Sequence, residues 1–60
     1  MLEEKLTTTE IWGKYDRARN KVEILWQALD YMSQYNGRSK ITCIAMAMGY
    51  ETDGDGNYFK

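Results

Sequence analysis

The chain contains no histidine and no proline, and it has a single cysteine among its 60 residues. Without histidine the most frequent general base of enzymes is missing, and Cys43 has no imidazole partner for nucleophilic catalysis. The same absences remove the usual zinc ligand sets. We therefore expect a protein that is not an enzyme, with no metal, no cofactor and no small-molecule substrate.

Long apolar runs are missing as well. No stretch approaches the ~20 consecutive apolar residues that span a bilayer, and residues 1–6 are acidic and polar rather than a signal peptide. We expect no membrane partner and a cytoplasmic location, which an unpaired cysteine also favours. The net charge of -1 argues against a protein coated with nucleic acid but leaves room for local basic patches.

Residues 1–60 are predicted to form one small helical domain. A chain of this length buries only about 60% of the surface that its unfolded form exposes. Because a disulfide and a zinc site are excluded, the remaining ways to complete the fold are support from a partner chain or unusually good packing of the helices.

Two segments have the signals of helices, and together they predict an all-α fold. Thr7 and Glu10 have the spacing of a capping box, and Asn36-Gly37 tolerates the left-handed conformation that ends helices. These signals predict a long amphipathic helix over about 8–35. Ser39 as N-cap and Gly49 as stop predict a short helix over about 39–48.

The residues after Gly49 are predicted to form an irregular, acidic, glycine-rich tail. Two glycines among three acids are typical of a turn or loop. A small hairpin flanked by Tyr50 and Tyr58-Phe59 is the alternative. In one register residues 51–57 are also similar to the start of an EF-hand calcium loop, but position 1 holds Glu51 rather than an aspartate, and the glutamate of position 12 would fall beyond Lys60. An acidic turn without a metal is the preferred interpretation.

The apolar pattern of the long helix predicts self-association. A first stripe runs through Ile11, Tyr15, Ala18, Val22, Leu25, Leu29 and Met32 at spacings of four and three residues. A second stripe runs through Ile24, Ala28, Tyr31 and Tyr35. The long helix would measure roughly 42 Å and the short helix about 15 Å, so the short helix cannot cover the first half of the long one.

A second copy packed antiparallel is the simplest cover, and we expect a helical homodimer. The predicted interface residues are Ile11, Trp12, Tyr15, Ala18, Val22 and Trp26. The alternative is that Gly13 and the threonines break the helix early, so that residues 1–12 fold back as a separate short helix.

Residues 41–50 resemble the first motif helix of the helix-turn-helix family. A small alanine is followed four residues later by a glycine, with apolar residues around both. The matching positions are Ile44, Ala45, Met48, Gly49 and Tyr50. Tyr50 followed by Asn57-Tyr58-Phe59 is similar to AraC-type regulators, with a longer gap. The resemblance implies a DNA-binding regulator, but Asp53-Gly54-Asp55-Gly56 stands where the recognition helix should be, and its acids repel phosphate.

Basic residues supply the candidate DNA contacts for that alternative. They are Lys14, Arg17 and Lys21 on one helix face, and Arg38, Ser39 and Lys40 before the short helix. A solvated helix face competes with this interpretation, since Arg19 and Glu23 have the spacing of an i,i+4 ion pair.

The sequence thus favours a non-catalytic interaction or regulatory module that self-associates and contacts another protein. In style the chain is similar to small accessory proteins of phages and mobile elements. The alternative is a helix-turn-helix-like DNA-binding transcriptional regulator.

Overall fold

A computed structural model describes residues 5–60, which form three helices and three short strands. The elements are β1 (Lys5–Thr7), α1 (Thr8–Arg17), α2 (Lys21–Gln34), α3 (Lys40–Ala47), β2 (Glu51–Thr52) and β3 (Asn57–Phe59). The fold is mostly helical, as expected, but it is not all-α because a small sheet joins both ends of the described part. The acidic lead at residues 1–4 lies outside it.

The predicted long helix is two helices. Ala18 has extended backbone angles, with φ -71 and ψ 138, and it ends α1, while Asn20 is the N-cap of α2. The break lies at residues 18–20 rather than at Gly13, which is an interior residue of α1. Asparagine competes with helical backbone bonds and therefore favours caps. The break allows α1 and α2 to pack on α3 in different directions.

The short helix α3 has the predicted caps at both ends. Ser39 Oγ accepts a hydrogen bond from the Thr42 backbone N–H at 3.3 Å. At the other end Gly49 has φ +92, and its N–H donates to the Met46 carbonyl while the Tyr50 N–H donates to the Ala45 carbonyl. These two bonds form a Schellman motif, which turns the chain sharply out of the helix.

The residues after Gly49 form a hairpin rather than an irregular tail, so the alternative interpretation is confirmed. β2 and β3 pair antiparallel, and β1 pairs with the other edge of β3, which gives the order β1-β3-β2. Tyr58 in the central strand pairs with Leu6 on one side and with Thr52 on the other. Gly54 and Gly56, at φ +86 and +91, supply the left-handed conformation of the turn.

The core has two clusters that share α3. The first contains Leu6, Ile11, Ala45, Tyr50 and Tyr58, and it joins α1 and α3 to the sheet. The second contains Ala28, Cys43 and Ile44, with Tyr15, Ile24 and Tyr31 packed against it. The short helix therefore lies at the centre of the molecule and leaves the far side of α2 uncovered. None of the described helices has the length and apolar character needed to cross a membrane.

Candidate interaction surfaces

The helix α2 is apolar on two opposite faces, and only one of them is packed. Ala28 is fully buried, and Ile24 and Tyr31 pack beside it against α3. On the other face Val22 is 70% exposed, Trp26 67% and Leu29 47%. We call these three residues the α2 stripe. Their spacing of four and three residues places them on one side of the helix.

The flank of the α2 stripe is charged. Arg19, just before the helix, and Asp30, in its third turn, line one open cleft together with Val22 and Trp26. The last turn of α2 contains no basic residue. Near the start of α2 the cations Arg19 and Lys21 outnumber the carboxylate of Glu23, and further along the same flank Asp30 is the only charged residue of the lining.

The predicted interface residues fall into different environments. Ile11 is fully buried in the first core cluster, so it belongs to the interior of the monomer and not to an interface. Tyr15 is half-buried, and its hydroxyl donates to the Lys21 carbonyl at 3.5 Å across the helix break. Trp12 is 41% exposed and meets the Tyr15 ring edge-on at a centroid distance of 6.2 Å.

The other three predicted interface residues surround the start of α2. Ala18 is half-buried at the break, while Val22 and Trp26 are well exposed. Leu29, which completes the α2 stripe, belongs to the first apolar stripe of the sequence. It is exposed because α3 covers the opposite face of α2.

A second candidate surface is an open cleft of about 490 Å³ where the ends of α1 and α3 meet the start of α2. Four cationic side chains line it: Lys14, Arg17, Arg19 and Lys60. We call these four residues the basic cleft. The lining contains one carboxylate, that of Glu23, and an apolar part that includes Ile24 and Met48. The ammonium of Lys60 lies 5.3 Å from the centroid of the Tyr50 ring, a cation–π distance.

The predicted DNA contacts are divided by the fold. Lys14 and Arg17 line the basic cleft, and Lys21 lines the neighbouring cleft beside the α2 stripe. Arg38 instead lies 5.6 Å from the centroid of the Tyr35 ring.

Ser39 and Lys40 lie at the start of α3, whereas the basic cleft lies at its end, about 10 Å away along the helix. The Ser39 hydroxyl is occupied as the N-cap. The structure therefore does not bring the two predicted basic groups together.

Two of the four cations in the basic cleft were not among the predicted contacts. Arg19 was expected to pair with Glu23 at helical spacing, but it precedes α2, and within residues 5–60 the two form no ion pair. Lys60 reaches the cleft only because β3 returns the chain to the end of α3. For Arg19 the run of cations around residues 14–21 could have indicated a place in the basic surface. For Lys60 no neighbouring residue gave such an indication.

The hairpin turn uses its acidic groups internally. Asp53 accepts hydrogen bonds from the Asp55 backbone N–H at 2.8 Å and from the Asn57 side-chain amide at 3.1 Å. These bonds hold the pKa of Asp53 below its usual value of 3.8. In the part of the chain that is described, no three Cys, Asp or Glu side chains are grouped to hold a metal ion.

The single thiol has no exposed surface. Cys43 is fully buried in the second core cluster, and burial raises its pKa, an effect that the nearby Arg38 charge partly offsets. A neutral, enclosed thiol is a packing residue and not a nucleophile.

Comparison with known proteins gives no relative. No protein-family model matches the chain, no curated protein matches it, and no solved structure matches it. What the protein does is therefore inferred from the α2 stripe and the basic cleft.

Proposed function

We propose that the protein is a non-catalytic interaction module that self-associates through the α2 stripe. The observation that carries this proposal is the exposure of Val22, Trp26 and Leu29 together on the face of α2 that points away from the core. Single exposed apolar residues are ordinary, but a contiguous apolar face that includes a tryptophan is typical of an interaction site.

Covering the stripe is energetically favourable. Complete burial of a valine, leucine or similar side chain contributes about 1.5–3 kcal/mol, and a tryptophan buries still more area. The monomer gains this free energy only for those parts of the three side chains that its own residues already cover. A partner that covers α2 therefore adds to the free energy of unfolding of a small chain that has few other means of gaining stability.

A second copy of the chain in antiparallel orientation matches the charges beside the stripe. It places Arg19 toward Asp30 of the partner subunit, and Val22 toward Leu29 of the partner subunit. A parallel copy would set Arg19 against its own equivalent. Two-fold symmetry forms each favourable contact twice, and two-fold dimers are the commonest homo-oligomers.

The expected dimer is weak and depends on concentration. The 14-residue helix is about 21 Å long, and one of its faces offers less than the roughly 800 Å² per partner of a standard stable interface. We therefore expect a monomer at micromolar concentration that becomes a dimer as the concentration approaches millimolar.

Sedimentation equilibrium across this range tests the proposal. We expect the mass to rise from 7.0 kDa toward about 14 kDa. Leu29→Glu places a charge in the stripe and should leave a monomer at every concentration. Gln34→Glu is the matched control, since it adds the same charge to an exposed position of α2 that lies outside the stripe and outside both clefts. A 7 kDa species at the highest concentration, or equal loss of dimer in both variants, would refute self-association through this face.

A further inference from the structure

We propose that the basic cleft binds the phosphate backbone of duplex DNA without reading its sequence. The proposal goes beyond self-association and does not require it, because Lys14, Arg17 and Lys60 line the basic cleft and not the cleft beside the α2 stripe. Arg19 lines both of these clefts and is the one cation that they share. It rests on the convergence of four cations from three parts of the chain.

The fold, and not the sequence run alone, assembles this charge. Lys14 and Arg17 come from the last turns of α1, Arg19 from the helix break, and Lys60 from the residue after β3. Glu23 in the lining offsets one of these four charges, and Glu51 lines a smaller adjoining cleft together with Lys60. The chain as a whole has a net charge of -1, so the cleft is a local concentration of positive charge on an otherwise slightly acidic molecule.

The arginines of the cleft are available to an anion. Within residues 5–60, Arg17 and Arg19 form no ion pair with a carboxylate. A guanidinium presents its donors in a planar fork that fits two phosphate oxygens at once. Arg17 lies over Gly13, with its Nη1 atom 3.6 Å from the position that a Cβ would take.

The shape of the cleft favours a repeating backbone over a small phosphorylated molecule. Small-ligand sites enclose most of their ligand and fix it with a few placed polar groups. Here the cations stand around an open cleft, whereas Lys21 lies in the neighbouring cleft, where the carboxylates of Glu23 and Asp30 balance the positive charge. The cations of the basic cleft neutralise several phosphates at once.

A duplex fits better than a single strand. Proteins that bind single strands stack bases on exposed aromatic rings. The aromatic residue in the lining of the basic cleft is Tyr50, which is 6% exposed and has Lys60 over its ring. Base reading is not expected either, because β2 follows the turn at Gly49 and stands where a helix-turn-helix protein has its recognition helix.

The acidic turn lies away from the cleft. Gly56 of the turn lies beside Thr8 at the start of α1, whereas Arg17 is at the end of that helix, about 14 Å away. Asp53 and Asp55 are therefore separated from the bound phosphates by most of a helix length. Binding through the basic cleft keeps these two carboxylates at the far end of α1.

Fluorescence anisotropy with a labelled duplex of arbitrary sequence tests the proposal. Each neutralised phosphate contributes about -0.9 to the slope of log affinity against log salt. For about three or four contacts, raising salt from 50 to 200 mM should weaken binding roughly 40- to 150-fold. Arg17→Gln removes one contact, so the loss over the same range should shrink to roughly 12- to 40-fold.

Two variants separate this proposal from its competitors. Arg38→Gln removes the same charge outside the cleft and should leave the salt slope unchanged. Leu29→Glu should keep Arg17-dependent binding even as a monomer, so failure of the dimer and failure of the cleft give different results. The proposal is overturned by no binding at low salt, by an equal effect of Arg38→Gln, or by tighter binding to a single strand of the same length. Circular dichroism of each variant ensures that folded proteins are compared.

Discussion

Replacing Ile11 with alanine separates the observed fold from the continuous helix that the sequence suggests. Ile11 is fully buried where α1 meets the sheet and α3, in contact with a cluster that includes Leu6, Ala45 and Tyr58. In a continuous helix over residues 8–35 the same side chain would lie on an exposed stripe. The observed fold therefore predicts a large loss of monomer stability for Ile11→Ala, whereas the continuous helix predicts little change.

The magnitude follows from the burial of the side chain. Truncating a buried isoleucine to alanine costs about 2–5 kcal/mol, because apolar contacts are lost and a cavity is left. At roughly 0.05–0.15 kcal/mol per residue, a chain of this size is stable by about 3–9 kcal/mol in total. A loss of about 3 kcal/mol would lower the Tm by roughly 12–24 °C, since each kcal/mol shifts a domain of this size by about 4–8 °C.

Urea and thermal unfolding followed by circular dichroism at micromolar concentration measure this effect in the monomer. Val22→Ala is the control, since Val22 is a 70% exposed aliphatic residue on a helix. Alanine has the higher helix propensity, so this change should stay within about 0.5 kcal/mol of zero. Comparable small effects of both substitutions on the dilute protein would refute the packing of α1 against the sheet.

Three further outcomes are expected from individual groups. Ser39→Ala should lower the free energy of unfolding by about 1 kcal/mol, measured by urea denaturation, whereas Ser39→Asp keeps an acceptor for the Thr42 N–H and should retain most of it. Cys43 should react with a thiol reagent only as fast as the protein opens, so its labelling rate should rise with urea; rapid labelling without urea would contradict its burial. The pKa of Asp53, measured by carbon-detected NMR, should lie below 3.8. Because folding lowers this pKa, the contribution of Asp53 to stability is present above about pH 4 and is lost as the pH falls through the lowered value. Asp53→Asn should flatten this part of the profile of stability against pH.

The caps of the short helix were predictable because their signals are local. A serine accepts a hydrogen bond from a backbone N–H three residues later, and a glycine adopts the left-handed conformation at the helix end at little cost. Both effects involve residues only a few positions apart, so Ser39 and Gly49 indicate the two helix ends whatever the rest of the fold. The apolar spacing of Ile24, Ala28 and Tyr31 likewise predicted a packed face.

The break at residues 18–20 had no comparable signal. Residues 18–20 contain neither proline nor glycine, and Gly13, the residue that sequence reasoning suspected, is helical. What decides the break is tertiary: Ile11 must face the sheet while Ala28 faces α3. One straight helix cannot satisfy both, and burial of two core clusters outweighs the few hydrogen bonds lost at the break.

The hairpin also depends on contacts between distant parts of the sequence. Tyr58 is buried because β1 pairs with β3 from the other end of the described chain, in register with Leu6. Acidic and glycine residues in the turn indicate only that the chain bends there. β2 pairs with β3 locally across the turn, but the second edge of β3 is covered by β1 from the start of the described chain, and no local pattern contains that pairing.

The same break creates both candidate surfaces, which is why the sequence predicted each of them only in part. Interrupting the helix places Arg19 outside α2, so it no longer has helical spacing to Glu23 and instead joins Arg17 and Lys60 at the basic cleft. The break also lets α2 take its own direction against α3, which leaves the α2 stripe to solvent. The apolar spacing that predicted a dimer is therefore relevant to α2 but not to Ile11 in α1. The proposed phosphate binding depends on this break, because straightening residues 18–20 would return Arg19 to helical spacing with Glu23 and should weaken binding, whereas it would extend the exposed apolar stripe toward Ile11 and should not weaken self-association.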